Sequence, residues 1–403
     1  MKNLSRASAS AALPSILILA FMASLGPFGD TEYTPSLPRI AEALGITYGQ
    51  AQLTMTIYLA GFALSQLLYG PFSDRFGRRP VILVAILTFL GGSLICALST
   101  DLSLMLLGRF IQSLGASAGG TISNAAVRDA FPAAIRTRVF LQVNTLFALA
   151  PGVGPIAGGL IDHYFGWEAN FYLLALLAAL LLVTLFFGFA ETNRHLDPDA
   201  ATPRHFLRNY LHLLTHPIYM FYVVIIGLGI GVIYSSLIEA PRLIMVELGY
   251  PSKTFTVVAL CIVGGFILGA GLCGWLSRYL SDFALVVCGL CIMLAGSLAL
   301  GWLDDRGWIT LETTLAAITL IYVGLAFVVP VATSRAVAPF AETAGCASAL
   351  LGSVSMALAS ASTLLISLLP HHAAQSMSIT FTLLTVLGLA LTLLARLLWP
   401  GKL

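Results

Sequence analysis

Gly70-Pro71-Phe72-Ser73-Asp74-Arg75-Phe76-Gly77-Arg78-Arg79-Pro80 places four charged residues within six positions of a chain in which only 9% of residues are charged. Apolar runs near 50–70 and 80–99 flank it. Glycines supply the backbone freedom for a sharp reversal. Cations in so short a loop stay in water at a membrane surface. The stretch therefore reads as a tight loop between two membrane helices.

Working outward, 58% of the 403 residues are hydrophobic and the mean hydropathy is +0.93. Ordinary soluble domains carry about a quarter charged residues. This much apolar surface exceeds what a soluble core of this size hides, so lipid is the expected solvent. A membrane helix needs about 20 apolar residues, and twelve such runs lie near 12–37, 50–70, 80–99, 102–126, 138–161, 168–190, 217–239, 254–275, 282–302, 311–332, 344–368 and 376–398. The expected fold is all-α and integral to the membrane. With both ends on one side, fifteen of the 20 Lys and Arg residues fall in inner loops and tails. Outer loops hold only Arg39, Arg242, Lys253 and Arg306, and Arg109 lies within a span. The positive-inside rule then puts both termini in the cytoplasm.

Lys2 and Arg6 precede the first apolar run, as in a signal peptide, but that run is too long for a signal core and reads as a retained first helix. The six cysteines sit in or beside apolar spans; Cys288 and Cys291 have C-x-x-C spacing, but no second pair accompanies them, and all six read as small buried hydrophobes. The net charge of +2 singles out no nucleic-acid partner. No GxxxxGK[ST] or HExxH string occurs, and the GxSxG string Gly115 to Gly119 lies within an apolar span rather than at the strand-to-helix turn of a nucleophile elbow, which argues against direct ATP use and against an embedded hydrolase. No cofactor or metal is expected, and the protein reads as a non-enzyme.

The longest polar interruption, Glu191 to His216, divides the spans six and six. We expect an N-terminal bundle over 1–193, a linker over 194–216 and a C-terminal bundle over 217–403. Within the linker, Phe206 to Leu214 has an apolar stripe at helical spacing, as in a helix lying on the inner membrane surface. Gly274-Trp275-Leu276-Ser277-Arg278, after the eighth span, echoes Gly70 to Arg75 after the second.

Ionisable groups within spans are costly and are functional candidates by default. Asp30 and Glu32 follow a Gly26-Pro27 kink in the first span, and Arg109 shares a helical face with Gln112 in the fourth. At 1.5 Å per residue all three lie about 8–10 Å below the outer surface. An Asp30 or Glu32 pairing with Arg109 is expected. Positions two apart on a helix point about 200° apart, so one acid faces the cavity and the other the rim; which is which stays open. Tyr58, Asn124, Asn144, Tyr234 and Glu239 join Gln112 as candidates for a substrate cavity, although a salt bridge to Arg242 accounts for Glu239 equally well. In the fifth span, Pro151, Gly154, Pro155, Gly158 and Gly159 mark a segment that a neighbour packs against closely.

The loop Gly70 to Pro80 resembles the loop between the second and third helices of the major facilitator superfamily, G-x-L-x-D-R-x-G-R-R/K-x. Arg109, Gln112 and Gly115 match the family's fourth-helix motif, and Pro151 to Gly159 resembles its antiporter signature. Tyr33-Thr34-Pro35-Ser36-Leu37-Pro38, Val127-Arg128-Asp129 with Ala148 to Pro151, and Ala338-Pro339-Phe340 with Ala344 to Leu350 narrow the resemblance to the Bcr/CflA-type drug:proton antiporters. Two departures stand out. That branch's first-helix aspartate aligns nearest Thr31, here flanked by Asp30 and Glu32, and Gly166-Trp167-Glu168 replaces its usual G-W-R.

The resemblance implies two pseudo-symmetric six-helix bundles with a substrate site between them. It implies conformational gating by Gly70, Asp74, Arg75, Gly77 and Arg79, with Asp74 reaching the inner end of the eleventh helix and Arg75 and Arg79 as its partners. It also implies proton coupling through Asp30, Glu32 and Arg109. The function it implies is a monomeric, proton-driven antiporter of the bacterial inner membrane, exporting an amphipathic drug or small metabolite by alternating access. A proton-coupled importer, or an exporter of one metabolite such as a siderophore, is the alternative on the same fold.

Overall fold

A computed structural model describes residues 13–202, 210–251, 254–369 and 372–400. All regular elements among them are helical. Ten helices are long and apolar enough to cross a membrane. The two apolar runs outside that number, the first and the fourth, are each built from two shorter helices.

The first run holds α1 (Ile16–Thr31), a 3-10 turn (Thr34–Ser36) and α2 (Leu37–Ala43). Pro35 and Pro38 sit in the first positions of the two new segments, where a missing N–H costs nothing. The fourth run holds α5 (Leu102–Ala116) and α6 (Ala118–Ala130), divided at Ser117. The other spans are continuous. They are α3 (Tyr48–Phe76), α4 (Arg78–Ala97), α7 (Ala133–Phe165), α8 (Glu168–Gly188), α9 (Pro217–Pro241), α10 (Phe255–Leu276), α11 (Asp282–Asp305), α12 (Leu311–Val337), α13 (Ala344–Ser367) and α14 (Ala373–Leu398). A π-helical turn, Arg242–Glu247, continues α9.

Helix starts follow local chemistry. Thr47 and Gln50 form a capping box on α3, and the Asp101 carboxylate accepts the Leu104 N–H at the start of α5. Gly77 separates α3 from α4 at φ 95°, a left-handed conformation that a side chain would strain.

The first six spans and the last six repeat one packing pattern. α4 packs on α5 and α8 as α11 packs on α12 and α14, and α1 meets α7 as α9 meets α13. Across the two sets, α3 lies along α13 and α7 lies on α10. Small residues allow the closest approaches: a Cβ on Gly289 would stand 2.7 Å from the Gly324 carbonyl oxygen. Of the expected surface helix 206–214, positions 206–209 lie outside the described residues. Just beyond them, Tyr210 donates a hydrogen bond to the Leu67 carbonyl at 3.2 Å and ties the linker to α3.

Candidate functional site

The glycine- and proline-rich part of α7 lies against the break in the first span. A Cβ on Gly158 would collide with the Glu32 carbonyl oxygen, and one on Gly154 would strike the Thr31 hydroxyl. Pro151 and Pro155 are carried inside the same helix. The bare face of α7 is thus fitted to the point where the backbone of the first span departs from α-helix, which is where the two acids sit.

Arg109 is fully buried beside them. Its guanidinium lies between the rings of Tyr33 and Tyr58, 4.1 Å from each centroid, a strong cation–π arrangement. Nη1 donates to the Gly29 carbonyl at 3.2 Å and to Gln112 Oε1 at 2.5 Å. Gln112 in turn donates to Ser93 Oγ at 2.8 Å, which fixes its amide. Tyr58 OH donates to the Gly26 carbonyl at 3.2 Å, and Tyr33 OH meets Thr54 Oγ1 at 2.9 Å. Among the described residues no ion pair within 4.0 Å joins Arg109 to Asp30 or Glu32. The expected carboxylate partner is replaced by a backbone carbonyl next to Asp30, a glutamine and two aromatic faces.

The acids diverge, as positions two apart should. Asp30 accepts a hydrogen bond from Tyr234 OH of α9 at 2.7 Å, a contact between the two six-span sets. Glu32 lies at the break itself, against α7. Both are at most 1% exposed. Asp30 Oδ1, both Glu32 carboxyl oxygens, and Arg109 Nε and Nη2 have no hydrogen-bond partner among the described residues. Buried polar atoms are nearly always bonded. Five unbonded ones on three neighbouring residues leave hydrogen-bonding capacity for a proton or a polar group.

Asn124 and Asn144 stand apart from this cluster. Asn144 Nδ2 lies 3.4 Å from Asn124 Oδ1, and Asn144 is exposed. Glu239 is fully buried near the end of α9, where it meets Gln52 and pairs with Arg242 at 3.0 Å. Tyr58, Gln112 and Tyr234 are therefore the cavity candidates gathered around the acids.

At the arginine-rich end, Asp74 pairs with Arg78 at 2.6 Å. The stretch expected as a loop is helical except at Gly77, and Arg78, the first residue of α4, is the centre of its contacts. Arg78 Nε also bonds Asp129 at 3.0 Å and its Nη1 donates to Ser73 Oγ at 2.6 Å. Arg75 and Arg79, the partners expected for Asp74, instead lie over the rings of Phe76 and Phe186. The carboxylate at the start of α4 is that of Glu191, which accepts the N–H groups of Arg78 and Arg79 at 3.0 Å each. Gly77 leaves room for that carboxylate, and Gly70 has open space around it. Sequence reading passed over Arg78, Glu191 and Gln52. It also passed over Asp162, an acid within α7 that pairs with Arg39 at 3.5 Å. An acid directly at the end of the apolar run 138–161 was the available signal for Asp162.

Residues 16–363 match the profile of the Major Facilitator Superfamily. Multidrug resistance protein D of Escherichia coli is 27% identical over 92% of this chain and 93% of its own length. Multidrug resistance protein MdtL of Klebsiella pneumoniae is 30% identical over 81% of this chain and 82% of its own. The fold is similar to that of a bacterial homologue of the lysosomal transporter Spinster, with TM-score 0.75, 14% identity and coverage of 96% and 97% of the two chains. It is also similar to a D-xylose–proton symporter, with TM-score 0.73, 16% identity and coverage of 96% and 98%. The chain belongs to the Major Facilitator Superfamily. It is a multi-pass membrane transporter and not an enzyme.

Proposed function

We propose that this chain is a proton-coupled antiporter that exports an amphipathic drug or small metabolite by alternating access. The observation that carries the reading is the buried set Asp30, Glu32 and Arg109, with five unbonded polar atoms at the break of the first span. The multidrug resistance relatives agree with it by name. In this reading the arginine-rich side faces the cytoplasm of a bacterium, both termini lie there, and the protein works as a monomer in the inner membrane. Residues 1–193 and 217–403 are the two moving halves, joined by 194–216.

The chemistry is competition for a carboxylate. A proton arriving from outside neutralises an acid of the pair, and a substrate arriving from inside takes the site once that proton has left. Arg109, held by Gln112 and two tyrosine faces, supplies a fixed positive charge against which the acids respond. Tyr234 connects Asp30 to the second half, so a change at the acid is felt across the interface. Asp74, Arg75 and Arg79, together with Gly70 and Gly77, belong to the cytoplasmic gate, where Arg78 organises the charges.

Purified protein in liposomes with an imposed pH gradient tests the reading. Accumulation of a lipophilic fluorescent cation or anion should oppose proton flow. The double variant Asp30→Asn, Glu32→Gln should abolish that counterflow while leaving a folded protein. Flow of substrate with the protons would establish import instead, and transport retained in the double variant would place the proton elsewhere.

A further inference from the structure

Tyr48 and Gln52 lie one turn apart on α3, so both side chains point from the same face of the helix. That face meets the last turn of α9, which belongs to the other six-span set. Tyr48 OH donates to the Ile238 carbonyl at 2.5 Å, and Gln52 Nε2 reaches the same oxygen at 3.3 Å. Gln52 Nε2 also bonds the Glu239 carboxylate. Gln52 is 1% exposed and Glu239 is fully buried.

The end of α9 is built to present these acceptors. Pro241 has no N–H for the helical ladder, and the chain then passes into the π-helical turn Arg242–Glu247. Such turns leave the regular bonding register and often occur at working sites. Arg242 Nη1 completes Glu239 at 3.0 Å, and its Nε reaches Glu247 at 3.5 Å. Glu247 accepts the Ala373 N–H at 2.8 Å, which ties the turn to the start of α14.

We propose that Tyr48 and Gln52 of α3, closing on Ile238 and Glu239 of α9, form a latch that holds shut the side opposite the arginine-rich loop. The inference rests on the alternating-access reading and adds the residues that set its bias on this side. A buried ionised carboxylate is costly unless donors in good geometry satisfy it. Closed, Glu239 has Gln52 and Arg242; opened, it would have water and Arg242. A half-opened arrangement would supply neither Gln52 nor water, so the contact favours two discrete states over a continuum.

The test is a distance measurement on the full chain in lipid nanodiscs. Its six cysteines are replaced by alanine, and spin labels are placed at exposed positions Ala43 and Val246 on either side of the latch. The unsubstituted background should show a dominant short distance and a minor long one. Gln52→Leu should raise the long-to-short ratio about tenfold, the worth of one hydrogen bond to a charged group. Tyr48→Phe, which removes a single hydroxyl and leaves the packing in place, should raise it less, by about fivefold. Thr88→Ala should leave the ratio unchanged, because the exposed bond of Thr88 Oγ1 goes to the Val84 carbonyl of its own helix, α4. Two distances in the background that neither Gln52→Leu nor Tyr48→Phe redistributes, at unchanged melting temperature, would overturn the latch alone. A single distance under every pH gradient and substrate would overturn alternating access and the latch with it.

Discussion

The backbone of Glu32 rests directly on the bare Cα of Gly158, so the break in the first span and the glycine-rich face of α7 form one fitted contact. A side chain on Gly158 meets a carbonyl oxygen, which has no rotamer to move away. The acid-bearing segment therefore keeps its position only while α7 stays smooth at this point.

Gly158→Ala should consequently lower stability by about 1–3 kcal/mol, the usual cost of overpacking, and abolish transport. Gly274→Ala serves as the comparison, because its added methyl has nothing within 4 Å. Thermal unfolding in detergent, followed for both variants, checks the difference. Equal melting temperatures would show that the first span adjusts to the methyl group.

Arg109→Ala should empty the space between Tyr33 and Tyr58 and leave the Gly29 carbonyl and Gln112 without their donor. Each buried group left unbonded costs about 1–3 kcal/mol. Arg109→Lys keeps the charge but loses the planar fork that stacks and bonds at once. We expect the lysine variant to fold near normally with little transport, and the alanine variant to melt several degrees lower. Melting curves and vesicle transport read the two effects separately.

Tyr234→Phe removes one hydroxyl and with it the only side-chain hydrogen bond recorded for Asp30 among the described residues. About 1 kcal/mol of inter-half contact is at stake, roughly a fivefold change in the balance of two conformations. Turnover should change while folding stays close to normal. Identical transport kinetics in Tyr234→Phe and the unsubstituted protein would mean that this contact does not join Asp30 to conformational change.

Arg78→Ala should be the most damaging arginine substitution in the loop. The Arg78 side chain is 4% exposed and serves Asp74, Asp129 and Ser73, so its loss unpairs three groups at once, at a cost of about 1–3 kcal/mol. Arg75→Ala removes only a stacking contact with Phe76 and should stay within about 0.5 kcal/mol. Unfolding of the two variants in parallel ranks them. The reverse ranking would return the loop to Arg75 and Arg79.

The spans, their number and the acid-bearing first helix were legible in the sequence, because lipid demands long apolar runs and makes each interruption conspicuous. The same reasoning expected an Asp30 or Glu32 pairing with Arg109, and only depth along the helices could be counted. Depth does not determine azimuth. Tyr33 and Tyr58 come around the guanidinium from two different spans, and no spacing in the chain announces that enclosure.

What the sequence by itself determined is therefore the class of structure and the rows of residues brought to the membrane: the Gly70–Pro80 loop, the Pro151–Gly159 face, and Asp30, Glu32 and Arg109 within spans. These follow from local hydropathy and from the backbone limits of glycine and proline. The tertiary structure alone decided the partners. Glu191 caps α4 from beyond three intervening spans, Arg78 takes the central place expected of Arg75 and Arg79, and Gln52 meets Glu239 across the two halves. Each of these bonds depends on helix rotation and on which spans touch. Both are set by packing between segments far apart in the chain, and a one-dimensional pattern of apolar runs leaves both undetermined.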